Sequence, residues 1–152
     1  MTWETTIYNA FSGINPSDRN ALVRFLIEHT ENAAKKEIED AIEYALKIKP
    51  SFGGFIMVAH EDRAIRAAIV ANRTGMEGYV PNNIFVFVTQ HRDFLNIENE
   101  MLALLRQAIN HTKGDVALHV KPDNPTRALF EKIGFEAQYL ELRLSKQATA
   151  VA

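Results

Sequence analysis

Apolar residues return along this chain first at helical and later at strand spacing, and the places where the period changes mark its elements. Asn15-Pro16 offers an N-cap followed by proline at the first helical position, and Leu22, Leu26 and His29 then fall on one face. Ile38, Ile42 and Ala45 with Leu46 repeat the helical period as far as Lys49-Pro50, where the residue before proline is pushed out of the helical region. Ser51-Phe52-Gly53-Gly54 reads as a strand-entry turn. Phe55 to Ala59, the polar tip Glu61-Asp62-Arg63 and the small and β-branched run from Ala64 to Ala71 then predict a β-hairpin. Gly75, Gly78 and Pro81 break the stretch from Arg73 to Pro81. Ile84 to Val88 is continuously apolar and too short for a helix, which predicts a central strand covered on both faces.

Ile97, Met101, Leu104, Leu105 and Ala108 mark an amphipathic helix that ends before Lys113-Gly114, and Val116 to Val120 predicts another strand. Val86 and Val88 should be buried beside Val116, Leu118 and Val120, because two apolar strands joined by a helix need both faces covered. Asn124-Pro125 repeats the cap signature, Ala128 to Ile133 is helical, Gly134 suits the left-handed position after a helix, and Tyr139 to Leu144 alternates as a final strand. The order helix, helix, three strands, helix, strand, helix, strand implies right-handed crossovers beside an antiparallel portion. The fold class is therefore α/β (α+β), a mixed β-sheet flanked by helices on both faces.

Composition narrows the classes of function. With 152 residues, 47% of them hydrophobic, the chain closes one core, so a single domain is expected over residues 1–146, with a frayed tail from Gln147 to Ala152. The 17 Lys+Arg and 19 Asp+Glu leave a net charge of -2, which gives no attraction to nucleic acid or to an anionic membrane. The chain has no cysteine, so disulfides, thiolate metal sites and a cysteine nucleophile are excluded. Met1-Thr2-Trp3-Glu4 lacks the cations of a signal peptide, and no apolar run approaches the ~18 residues of a membrane span; a soluble, cytoplasmic protein is expected. His29, His60, His91, His111 and His119 show no metal-ligand spacing, so no metal is assigned. Neither a Gly-x-Ser-x-Gly elbow nor a nucleotide P-loop is present.

The element order, together with Asn72-Arg73-Thr74-Gly75-Met76 and the run from Asp123 to Phe135, makes the chain resemble the GNAT superfamily of acyl-CoA-dependent N-acetyltransferases from about Asn15 to Leu144. The run ends in Phe130-Glu131-Lys132-Ile133-Gly134-Phe135, similar to the Tyr-Glu-Lys-Leu-Gly-Phe type sequence of the family's late helix. Read on residues alone, it is a capped helix with a glycine stop. The resemblance implies a GNAT-like domain that transfers acetyl from acetyl-CoA to a small-molecule or peptide amine, and it leaves room for a homodimer.

It also implies where the site lies. A helix N-terminus presents unpaired N–H groups and a positive dipole end, which suits a diphosphate. The matching place is the loop from His91 to Ile97. The family's Arg/Gln-x-x-Gly-x-Gly/Ala positions, counted from the strand end at Val88, are Asp93, Phe94, Leu95, Asn96, Ile97 and Glu98, and no glycine is among them. From His91 to Glu100 a single cation, Arg92, stands against Asp93, Glu98 and Glu100. Cofactor contacts are expected at Phe94, Leu95, Asn96, Ile97, Glu98 and Asn124, and at the backbone of Phe87 and Val88, whose peptide groups the family pairs with the pantetheine arm. Acetyl-CoA binding is expected to be weak or lost. Asn83 and Phe130 occupy positions where relatives carry a general base and a tyrosine that protonates the leaving thiolate, and neither can move a proton. Arg73 and Tyr79 are candidate acceptor contacts. Glu37, Glu39, Asp40 and Glu43 would lie near the family's acceptor entrance, and read by themselves they are a solvated helix face. Two readings follow: an N-acetyltransferase, or a catalytically inactive GNAT-fold module that binds a ligand or protein through the same cleft.

Overall fold

Two strands joined at Asp62-Arg63 form the middle of the sheet in the computed structural model of the chain. It describes residues 3–29, 34–49, 53–73, 83–90, 98–112, 115–118, 120, 122–123, 127–138 and 140–146, with 83–90 and 98 described by their backbone. The elements are β1 (Glu4–Tyr8), α1 (Pro16–His29), α2 (Lys35–Ala45), β2 (Gly54–Glu61), β3 (Ala64–Arg73), β4 (Asn83–Gln90), α3 (Glu98–His111), β5 (Asp115–Ala117) and α4 (Arg127–Lys132). The strands lie in the order β1-β2-β3-β4-β5, antiparallel except for the parallel pair β4 and β5. The chain divides into two compact units, Met1–Val120 and Lys121–Ala152.

In the first unit the hairpin closes through a two-residue loop: Glu61 pairs with Ala64, and Asp62 and Arg63 take φ of 51° and 68°. Positive φ at both positions matches the twist of the flanking strands, and it costs about 1 kcal/mol or more at a side chain such as arginine. Residues Phe55 to Ala59 and Ala67 to Ala71 are all buried, which places helices on both faces. Ile56, Val58, Ala68 and Val70 pack in one cluster with Leu22, Phe25 and Leu26 of α1 and Ile38 and Ile42 of α2. On the other face Phe55 meets the His111 ring of α3 edge-on at 4.7 Å, and α3 buries Met101, Leu104, Leu105 and Ala108.

Local chemistry fixes the ends. Asn15 caps α1 by accepting the Asp18 N–H at Oδ1, 2.8 Å away. The Tyr8 hydroxyl donates to Asp18 Oδ2 at 3.1 Å and ties the end of β1 to the first turn of α1. Burial, and then the hydrogen bond to the Asp18 carboxylate and its charge, push the Tyr8 hydroxyl up to about 12. Gly53 and Gly54 are required by close approach: a Cβ at the first would overlap the Tyr44 carbonyl oxygen, and at the second the Ala71 carbonyl oxygen.

Three expectations are corrected. β1 has no counterpart in the hydrophobic pattern, because only Tyr8 of its five residues is buried. β5 stops at Ala117, so Leu118 and Val120 fall outside it. Val116, Leu118 and Val120 are half-buried, and β5 is an edge strand, with no further strand among the described residues to help cover it. The side chains of Val86 and Val88 lie outside the described residues.

The third correction falls in the second unit, where residues 140–146 form no strand and Leu140, Leu142 and Leu144 are 83%, 86% and 87% exposed. Alternation is satisfied as a strand only where another edge takes up its peptide groups. By contrast, α4 ends as its sequence predicts. Gly134 has φ of 110°, its N–H donates to the Glu131 carbonyl, and the Phe135 N–H donates to the Phe130 carbonyl. The Phe130 and Phe135 rings meet edge-on with centroids 6.0 Å apart, which completes a Schellman stop. Among the described residues no helix is long and apolar enough to cross a membrane.

Candidate functional site

The feature that sets this sheet apart is a fork. β4 and β5 pair at Asn83 with Asp115, Ile84 with Val116 and Phe85 with Ala117, and go no further. β4 itself continues to Gln90, paired on its other side with β3 as far as Gln90 with Ala67. From Val86 to Gln90, alternate peptide groups of β4 therefore have no sheet partner on the β5 side among the described residues. Such groups need hydrogen bonds from elsewhere, and an extended ligand carrying amides can supply them as an added strand would. Phe87 and Val88, proposed for this role from sequence, lie in this open part. Asn83 lies at the paired end, opposite Asp115. Beyond β4, α3 opens at Glu98.

The row of residues at the fork holds a group that sequence reasoning missed. Gly54, Asn72, Phe85 and Ala117 are register partners across β2, β3, β4 and β5. Asn72 Oδ1 is buried there and accepts no hydrogen bond from the described residues. An unsatisfied buried acceptor costs about 1–3 kcal/mol, which gives it a standing demand for a donor. Its signal in the sequence was a carboxamide closing the apolar run Ala67 to Ala71. The neighbouring Arg73 ends β3: its N–H donates to the Gly53 carbonyl at 2.7 Å and its carbonyl accepts the Tyr44 hydroxyl at 2.7 Å.

The acidic stretch of α2 is engaged within the protein. Arg19 of α1 reaches Glu39 at 3.5 Å and Glu43 at 3.2 Å, and Lys36 holds Asp40 at 3.1 Å. His29 stacks on Phe25 at 4.3 Å and contacts the Phe25 carbonyl through Nδ1, so its place is structural. Among the described residues no group of three or more His, Asp or Glu side chains could hold a metal ion.

No protein-family model matches the chain, and no curated protein matches it by sequence. Solved structures match it in shape. AAC(6')-Iy in complex with the bisubstrate analogue CoA-S-monomethyl-acetylneamine aligns with a TM-score of 0.66 at 12% identity, over 97% of this chain and 99% of that one. The ribosomal-protein-alanine N-acetyltransferase from Brucella melitensis biovar Abortus 2308 aligns at 0.62 and 13% identity, over 96% and 100% of the two chains. Glucosamine-6-phosphate N-acetyltransferase from Arabidopsis thaliana aligns at 0.62 and 12%, over 97% and 100%. The chain has the GNAT fold.

On this GNAT fold the remaining sequence-derived positions divide. Phe94, Leu95, Asn96, Ile97, Tyr79 and Asn124 lie outside the described residues. Glu98 is the first residue of α3, and with Glu100 it puts two carboxylates in the opening turn. Carboxylates there stabilise the helix end by ~0.3–1 kcal/mol each and oppose a second anion at the same end. Phe130 is buried, 6% exposed, and its ring belongs to the α4 stop. The stretch that carries the sequence resemblance thus has a structural role, in which the aromatic ring at position 130 packs against Phe135.

Proposed function

We propose that this GNAT-fold protein binds acyl-CoA weakly, through its pantetheine arm, and transfers the acetyl group to a small or peptide amine. The observation that carries the reading is the fork: β4 runs past the end of β5 and leaves peptide groups beside Phe87 and Val88 without a sheet partner among the described residues. The fit of the cofactor to these residues is partial. An amide-bearing arm suits the open edge, whereas the two carboxylates opening α3 do not suit a diphosphate.

When bound, acetyl-CoA supplies an activated acetyl carbon, from which an attacking amine displaces the thiolate. The chain's own part is to hold the arm extended along β4 and to bring the amine to it, which is catalysis by positioning. Asn72 Oδ1 would accept a hydrogen bond from the amine at the fork and satisfy its own demand. Asn83 takes no proton and Phe130 gives none, so solvent carries both transfers and the rate rises with the fraction of unprotonated amine. The acceptors named for the structural neighbours, an aminoglycoside, a ribosomal-protein alanine and glucosamine 6-phosphate, all present an amine.

Calorimetric titration tests the reading. Acetyl-CoA and acetyl-pantetheine should bind with similar, weak affinities, because the diphosphate adds little. Acetyl-CoA binding far tighter than acetyl-pantetheine would show that the loop holds the diphosphate after all. If neither binds, the second reading takes over: a catalytically inactive module that uses the cleft for another ligand, as the acidic start of α3 and the hydroxyl-free position 130 favour.

A further inference from the structure

Where the β2–β3 turn meets α1, Ala21, Arg24, Phe25 and Glu28 of the helix and Arg63 and Ile65 of the hairpin line an open groove of about 240 Å³. Its charges are unpaired among the described residues. Arg24, Glu28 and Arg63 enter no ion pair there, whereas Arg19 and Arg66, close to them in sequence, are each held by a carboxylate. Arg24 and Glu28 stand at the spacing and in the charge order that close Lys36 on Asp40 at 3.1 Å and Arg127 on Glu131 at 3.4 Å. They do not close on each other, so the helix offers the groove a cation and an anion one turn apart.

Arg63 is placed there against a backbone preference. It has φ of 68° at the second position of the two-residue turn, where glycine is the residue of least strain and would leave the groove without its second cation. Strain that the local turn does not need points to a use for the side chain.

The lining sets the ligand. Ala21, Phe25 and Ile65 supply an apolar floor. A guanidinium grips a carboxylate with two parallel N–H donors, and two guanidiniums border this groove. Glu28 then suits an ammonium and opposes a second negative charge, which disfavours phosphates and dicarboxylates. The volume lies below the roughly 300–1,000 Å³ of sites for drug-sized ligands, so the occupant is about the size of one residue.

We propose that this groove binds a free α-amino acid with an apolar side chain, its carboxylate on Arg24 and Arg63, its ammonium on Glu28 and its side chain on the floor. None of the six lining residues belongs to β4, β5 or α3, and the inference stands apart from CoA binding and acetyl transfer.

Titration of the full, isotope-labelled chain with L-leucine, followed by amide NMR shifts, tests it. The shifts should saturate at the turn and the second half of α1, with a dissociation constant on the order of 1 mM for so small a ligand in an open groove. Isopentylamine, which lacks the carboxylate, and N-acetyl-L-leucine, which lacks the ammonium, should each bind several-fold more weakly. Arg63→Gly should lose most of the binding and yet raise the urea midpoint, because it relieves the turn, so unfolding cannot account for the loss. Arg63→Lys should keep part of the affinity, and Glu28→Gln should weaken L-leucine while leaving N-acetyl-L-leucine unchanged. Shifts that fail to saturate, equal binding of the three ligands, or full affinity in Arg63→Gly would each overturn the inference. Acetyl-CoA affinity should be the same in Arg63→Gly as in the parent chain, which keeps this result separate from the reading of the fork.

Discussion

The two edges of β4 are built to different standards. Toward β3 the strand is paired from Ile84 with Arg73 to Gln90 with Ala67, and its partner is packed on both faces, with Ala68 and Ile69 fully buried. Toward β5 the pairing ends at Phe85 with Ala117, and Val116 of the partner is only half-buried. One strand thus serves two purposes: one edge is committed to the core, and the other keeps peptide groups available. An edge can be left open because the opposite edge already holds the strand in place.

The sharpest way to break this comparison is to truncate one side chain beside each edge. Ile69→Ala should cost about 2–5 kcal/mol in urea unfolding, since a fully buried isoleucine leaves a cavity, while Val116→Ala should cost under about 1.5 kcal/mol. Equal losses would mean that the β5 side is as tightly built as the β3 side. A smaller effect belongs to the open edge and the helix beyond it. Asn96→Gly combined with Glu98→Gly should raise affinity for acetyl-CoA roughly two- to fivefold by calorimetry, from removal of ~0.3–1 kcal/mol of charge opposition. It should also lower stability by about 1 kcal/mol for glycine in a helical turn. Unchanged affinity would place the weakness of the site elsewhere than in this loop.

An effect confined to alkaline pH concerns the opposite edge of the sheet, where Tyr8 ties β1 to α1. Its hydroxyl is raised from 10.0 to about 12, so the protonated form is favoured in the folded protein. That contribution is complete below about pH 10 and is lost as pH rises toward 12. Tyr8→Phe should therefore unfold with a shallower loss of stability between about pH 10 and pH 12 than the parent chain. Parallel stability curves for the two proteins would remove Tyr8 from the account.

Much of the fold was legible because its signals are local. Asn15 as a cap, the polar tip at Asp62-Arg63 and Gly134 as a helix stop each involve a few consecutive residues whose chemistry permits little else. β1 was not legible, since an edge strand gains its place through peptide hydrogen bonds, and four of its five residues are exposed. Tyr139 to Leu144 was read as a strand from alternation, which states what one face would look like and says nothing about whether an edge waits for it. The site divides in the same way. Strand β4 could be read from its apolar run, but the fork after Phe85 arises because β5 ends at Ala117 while β4 runs on to Gln90, and the apolar run Val116 to Val120 gives no sign of that early end. Asn72 could have been noticed as the one amide closing an apolar strand, although only its burial without a donor gives it meaning.

The spatial order of the strands repeats their order along the chain, and this has a consequence in time. β2 and β3 need close only a two-residue loop to find each other, whereas β4 and β5 come together only after all of α3 has been accommodated between them. The seam at the fork is therefore a late one to zip and an early one to reopen, and the same short pairing that leaves the far end of β4 open sets the rate at which it breathes. Native-state hydrogen exchange should record this as much faster exchange at the Val116 amide than at the Ile69 amide, and matched protection at the two would place the fork inside the globally unfolding core.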